Sequence, residues 1–218
     1  AYAQYNLGTM HNQGIGVPQD YKEAVKWFRL AAKQGDAEAQ NSLGWMYDSG
    51  NGVDQDYKEA IKWYRLAAAQ GLAEAQSNLG VIYRHGQGVP QDYKEAVKWF
   101  RLAAEQGLPL GQYSLGVMYH DGQGVPQDYK EAIKWFRLAA EQGFAKAQTS
   151  LGLNYREGLG VPKDLEEAVK WFRLAADQGN MSAQSNLGWL HKKGEGVPQD
   201  YKEAVKWFRL AAEQGNAS

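Results

Sequence analysis

The sequence predicts an all-α fold, a solenoid of six 36-residue helix-turn-helix repeats. Three observations carry that reading. Glycine recurs at a spacing of 36, at Gly35, Gly71, Gly107, Gly143, Gly179 and Gly215, and a period of this length marks a stacked array. The phrase Asp-Tyr-Lys-Glu-Ala returns at Asp20, Asp56, Asp92, Asp128 and Asp200, and once becomes Asp164-Leu165-Glu166-Glu167-Ala168. No stretch shows the period-two alternation of a strand. Numbered from the leading glycine, the copies are 1–34 (without the first two positions), 35–70, 71–106, 107–142, 143–178 and 179–214. Residues 215–218 open a further copy, and the whole reads as one domain, 1–218.

Each copy divides into two helices. Helix A covers about repeat positions 3 to 15, as Ala37–Ser49 in the second copy, and Gly50 supplies a left-handed C-cap. The loop Gly52-Val53-Asp54-Gln55 follows, with proline in place of Asp54 in the other five copies. Asp56 is the expected N-cap of helix B, and Glu59 three residues on completes a capping box. Helix B then runs from Tyr57 to Gln70 and ends at Gly71.

On a helical wheel, Tyr57, Ala60, Ile61, Trp63, Tyr64, Ala67 and Ala68 cover an arc of about 160°, wider than the apolar stripe of a one-sided helix. A single hairpin cannot bury that arc, so the copies must stack. Helix A carries glycine at repeat position 10 every time (Gly8, Gly44, Gly80, Gly116, Gly152, Gly188), at about 1 kcal/mol each relative to alanine. The expected compensation is close approach of two helix backbones beside the alanines at positions 26 and 33. The six tryptophans at position 29, from Trp27 to Trp207, are expected to be periodic core residues.

The 218 residues hold 24 Lys+Arg against 25 Asp+Glu, a net charge of −1, with 44% hydrophobic residues. That balance argues against a nucleic-acid binder, which shows a basic stripe, and against disorder. Mean hydropathy is −0.62, and no apolar run approaches the ~20 residues of a membrane helix, so no membrane insertion is expected. The absence of cysteine excludes disulfides and thiolate metal sites.

The phrases Ala-x-Ala-Gln-x-x-Leu-Gly-x-x-Tyr, Gly-x-Gly-Val-Pro-Gln-Asp and Ala-x-x-Trp-Phe-Arg-x-Ala-Ala resemble the Sel1-like repeat family, a relative of the 34-residue tetratricopeptide repeat. The resemblance covers the chain in six registers. It implies a right-handed superhelix of antiparallel helix pairs that serves as an adaptor for other macromolecules, with helix A lining the concave surface. Many bacterial members are exported, which points to a periplasmic or secreted location, with the cytoplasm as the alternative. A cysteine-rich branch, linked to β-lactam binding, does not extend to a chain without cysteine.

Catalytic motifs are missing. There is no phosphate-binding Gly-x-x-x-x-Gly-Lys-Ser/Thr, no His-Glu-x-x-His, no Gly-x-Ser-x-Gly and no Ser-x-x-Lys. His11, His85, His120 and His191 stand in separate repeats. Asp54-Gln55-Asp56 lacks the glycine and distal glutamate of a calcium loop. Asn180-Met181-Ser182 and Asn216-Ala217-Ser218 match the glycosylation pattern, by chance in so Asn- and Ser-rich a repeat. No catalytic residue, cofactor or metal ligand is expected, and the chain reads as a non-enzyme.

The copies differ mostly at helix A positions 4, 7, 8, 11, 14 and 15, which fall within one arc of about 120°. That free arc is where a solenoid binds partners. Position 11 reads Thr9, Trp45, Val81, Val117, Leu153, Trp189, an apolar row on a polar face. Position 8 carries only Asn or Ser. The charge of the arc drifts from acidic (Glu38, Asp48) to basic (Lys192, Lys193), which would orient a charged partner. The expected partner is a protein or peptide held by Trp45, Arg84, His120, Arg156 and Trp189, with Asn78 and Asn186 as backbone clamps. The alternative is a glycan or cell-envelope component stacked on Tyr5, Trp45, Tyr113 and Trp189. Terminal repeats without a polar cap also lead one to expect head-to-tail self-association.

Overall fold

The computed structural model describes residues 1–215. It holds α1 (Tyr2–Gln13), α2 (Tyr21–Ala32), α3 (Ala37–Ser49), α4 (Tyr57–Ala69), α5 (Ala73–His85), α6 (Tyr93–Glu105), α7 (Pro109–Asp121), α8 (Tyr129–Glu141), α9 (Ala145–Glu157), α10 (Leu165–Asp177), α11 (Met181–Lys193) and α12 (Tyr201–Gly215). Among the described residues there is no strand. Odd-numbered helices are the expected helices A, and even-numbered ones the helices B. Gly215 ends α12, while the rest of the stub, with Asn216-Ala217-Ser218, lies outside the described residues. Two compact units form, Ala1–Gln106 with α1–α6 and a second from Gly107 with α7–α12.

Helix ends follow the predicted chemistry with one correction. Gly50 takes φ 74°, ψ 18°, and its N–H donates to Met46 O. Asp56 Oδ1 accepts from the backbone N–H of Lys58 at 2.9 Å and of Glu59 at 3.2 Å. The returning arm of the capping box is not made. Asp56 N–H donates instead to Tyr47 O at 2.9 Å, and the Glu59 carboxylate takes Lys62 Nζ at 3.2 Å. The Asp56 donor thus satisfies a carbonyl left over at the end of helix A, which closes the hairpin.

The glycine at position 10 meets a ring first, and at Gly116 the expected backbone as well, where a Cβ would also lie 3.2 Å from the carbonyl oxygen of Ala132 at position 26. A Cβ on Gly80 would lie 2.5 Å from both Cδ1 and Cε1 of Phe100, and one on Gly44 would lie 2.7 Å from Cδ1 of Tyr64. The aromatic at position 30 packs against helix A at this glycine, and the missing methyl makes room for it.

Each core cluster draws on a helix B and on the helix A after it, as the wide apolar arc requires. In the first unit Ala24, Val25, Phe28, Ala31 and Ala32 of α2 pack with Ala39, Leu43 and Met46 of α3, and Trp63 of α4 lies against the same cluster. Trp63, Trp99, Trp171 and Trp207 at position 29 therefore bridge to the cluster before their own. They are half-buried, except Trp207, which is buried. Leu7 and Met10 of α1 and Val205 and Phe208 of α12 are exposed where Leu43, Met46, Val169 and Phe172 are buried.

Candidate functional site

Helix A is fixed on one side by its ring-on-glycine contact and leaves the opposite arc open. On that arc Trp45 is 42% and Trp189 39% exposed. Val81, Val117 and Leu153 at the same position are half-buried, so the aliphatic members of the row pack within the array and the two indoles stand clear.

In the first unit Trp45 borders a cleft of about 230 Å³ with Asn12, Phe28, Asn41, Ser42 and Asn78. Asn78 Nδ2 donates to Asn41 Oδ1 at 3.0 Å, so one end of this expected clamp already links two repeats. The Tyr5 ring packs 5.9 Å from Phe28. Arg84 is half-buried on the arc.

In the second unit Arg156, Asn186 and Trp189 meet around a cleft of about 520 Å³, bordered also by Glu157, Lys163 and Glu195. Arg156 Nε donates to Glu157 at 2.7 Å and its Nη1 to Asn186 Oδ1. Asn186 Nδ2 donates to Ser182 O at 2.8 Å. His120 Nδ1 lies 2.8 Å from Asp121 Oδ1, and its ring meets Tyr129 edge-on at 5.1 Å. The Tyr113 ring lies 5.8 Å from Phe136 and 5.4 Å from Phe144.

The arc of the first unit carries raised carboxyls. Partial burial pushes Glu38 up, with Glu74 and Asp36 adding like charge. Burial also raises Asp48, against a hydrogen bond from Tyr64 that holds it down. Among the described residues no group of three His, Cys, Asp or Glu is placed to hold a metal, and no helix is long and apolar enough to cross a membrane.

One apolar row escaped the sequence reading. Leu30, Leu66, Leu102, Leu138, Leu174 and Leu210, at position 32 of every helix B, are 38–50% exposed. The available signal was a leucine in each copy lying outside the apolar arc of its helix.

Helix pairs repeated in tandem define an α-solenoid repeat protein. The Sel1 repeat family matches residues 1–36, 37–72, 73–108, 109–144, 145–180 and 182–216, and the chain belongs to it. Sel1 repeat proteins generally mediate protein–protein interactions. The chain is similar to c5321, a protective antigen present in uropathogenic Escherichia coli strains, at 45% identity and a TM-score of 0.90. That match covers 99% of this chain and 46% of the antigen, so the chain spans about half of the antigen's length. A Sel1 repeat protein from Oxalobacter formigenes matches at 34% identity and a TM-score of 0.88, over 96% of this chain and 84% of that one. The immunity protein Pa5087 of Pseudomonas aeruginosa shares the fold at 21% identity and a TM-score of 0.61, over 97% of this chain and 81% of its own. No curated protein matches the chain.

Proposed function

We propose that the chain is a non-enzymatic interaction scaffold that binds a peptide or protein domain on the open arcs of its helices A. The first unit contributes Trp45, Asn78, Arg84 and Tyr5. The second contributes Tyr113, His120, Arg156, Asn186 and Trp189. The observation that carries this reading is the pair of exposed indoles, each at the edge of a cleft on an otherwise polar face. Tryptophan and arginine are favoured anchors, because a large rigid surface is desolvated at little entropic cost. Asn78 and Asn186 keep only part of their hydrogen-bonding capacity for a partner and otherwise hold the arc in shape. Sugar stacking is less well supported, since the rings of Tyr5 and Tyr113 already pack on core aromatics.

The test is affinity capture with wild type beside a variant carrying Ser at Trp45, Arg84, His120, Arg156 and Trp189, followed by binding of the recovered protein to each in purified form. A partner that binds wild type at least tenfold more tightly supports the proposal. Equal binding moves the site off helix A, and retention of a glycan in place of a protein favours the sugar reading.

A further inference from the structure

Helix B differs little between copies except at its end. Position 35 is Lys33 in the first copy and Ala69, Glu105, Glu141, Asp177 and Glu213 in the others. Lys33 extends a row already present, Lys22, Lys26 and Arg29, spaced i, i+4, i+7 and i+11 on one face of α2 and its C-cap. Every other helix B ends the same row with an uncharged or acidic residue. The four cations border a cleft of about 440 Å³ whose apolar walls include Leu30 and Val53, the latter from the α3–α4 loop. Arg29 is held in place by donating Nη2 to Tyr47 OH at 2.8 Å. Glu23 lies on the same helix and pairs with Lys26 at 3.2 Å. Asp54 follows Val53 in the loop and is exposed. Among the described residues no ion pair engages Lys22 or Lys33.

We propose that this cleft of the first unit is a second docking surface, and that it takes an acidic peptide segment of a partner protein in which Glu or Asp alternates with apolar residues. The row spans about 16 Å at ~1.5 Å per residue. Its members follow one another at steps of ~4.5–6 Å along the axis, near the ~6.6 Å between same-face side chains of an extended strand. Acidic side chains on one face of such a strand meet successive cations of α2, and the apolar side chains between them, on its other face, are left for the Val53 side of the cleft. A small anion would engage one or two of the four cations and leave the apolar wall empty. Nucleic acid and anionic membranes are drawn by broad positive fields, and residues 1–106 hold 11 Lys+Arg against 12 Asp+Glu. The row on α2 is the one helix B row of the first unit that ends on a fourth cation, since Ala69 and Glu105 stand at the place of Lys33, and a row of this length suits a short linear partner.

The probe is the peptide acetyl-Glu-Val-Glu-Val-Glu-amide, titrated into ¹⁵N-labelled protein, with affinity from calorimetry. Amide shifts are expected at residues 22–33 and 52–53. Binding is expected to disappear between about 0.01 M and about 1 M salt, as the screening length falls from ~30 to ~3 Å. Lys33→Glu, which installs the residue of three other copies, is expected to keep the fold by circular dichroism and weaken binding at least tenfold. Ala69→Lys rebuilds the four-cation row on α4 and is expected to add a second set of shifts there. Equal binding by wild type and Lys33→Glu, or shifts spread over every helix B, would overturn the proposal. Tighter binding of a ten-nucleotide thymidine strand or of phosphatidylserine vesicles would reassign the row to nucleic acid or membrane. The arc of helix A is untouched by both variants, so these outcomes are independent of the scaffold's other face.

Discussion

Tyr64 donates its phenol to Asp48 Oδ2 at 3.4 Å. The pair joins the one tyrosine among the six rings at position 30 to the one aspartate at position 14. Burial pushes both groups up; the Asp48 charge and the shared hydrogen bond raise Tyr64 further, while the same hydrogen bond lowers Asp48 and offsets only part of the effect of its burial. An aspartate raised in the folded state binds its proton more tightly there than in the unfolded chain. Its contribution to stability is therefore full below the ordinary value of 3.8 and is lost as pH rises through the folded value. Asp48→Asn removes that loss. Urea midpoints measured from about pH 3 to 7 should fall less steeply with rising pH in Asp48→Asn than in wild type at the acidic end. Tyr64→Phe removes the donor that lowers Asp48 and should widen the window upward. Parallel profiles for wild type and Asp48→Asn would refute the coupling.

Gly80→Ala should destabilise the first unit although alanine favours helix. The gain in propensity is about 1 kcal/mol. The new Cβ would sit 2.5 Å from the buried Phe100 ring, and displacing a packed ring typically costs about 1–3 kcal/mol. The net expectation is a loss of up to about 2 kcal/mol by chemical denaturation. Gly80→Ala with Phe100→Leu should recover part of it relative to Phe100→Leu alone. A stabilised Gly80→Ala single variant would show that the ring has somewhere to go.

The helices were legible because caps and breakers are local. Ala37–Ser49 was readable to the residue from the αL glycine at Gly50 and the periodic face before it. The partner of the position 10 glycines was not. A glycine pattern records that something approaches, and only the packing shows that the nearest atoms are those of a ring, Phe100 in the case of Gly80. The capping box failed for a similar reason, since Tyr47 O, nine residues earlier, competes for Asp56 N–H. Of the candidate site, the wheel located the arc and both exposed indoles. It could not show that Arg156 and Asn186 spend hydrogen bonds on each other, or that Leu30 and its five counterparts stay half in solvent.

A ladder of glutamines should make the array sensitive to a one-atom change. Within each repeat the glutamine at position 36 donates to the glutamine at position 6, as Gln178 Nε2 to Gln148 Oε1 at 2.7 Å. Gln148 Nε2 in turn donates to Ala140 O of the preceding repeat at 3.1 Å, and the residue is only 3% exposed. Gln148→Glu replaces that donor with an oxygen facing a carbonyl. A loss of about 1–3 kcal/mol is expected at neutral pH, the cost of a buried polar group left without its partner. Protonation restores a donor, so the deficit should shrink as pH falls toward the carboxylate range. A deficit that does not change with pH would mean that shape, and not the missing proton, sets the cost.

His191→Tyr should stabilise the second unit. Arg29, Arg65 and Arg137 each donate to the hydroxyl of a tyrosine in the next repeat, Tyr47, Tyr83 and Tyr155, at 2.8, 2.5 and 2.6 Å. Arg173 occupies the same position of α10, but the residue ahead of it is His191. That imidazole is 7% exposed, and neither ring nitrogen has a hydrogen-bond partner. Tyrosine places a hydroxyl where the second to fifth repeats have one (Tyr47, Tyr83, Tyr119 and Tyr155) and removes two unsatisfied nitrogens from the interior. A gain of about 0.5–1.5 kcal/mol is expected from one such hydrogen bond, read as a higher urea midpoint. His191→Phe separates the two contributions, because it removes the nitrogens without offering Arg173 an acceptor. If the arginine contact matters, Tyr should exceed Phe, and Arg173→Ala should erase the difference between them.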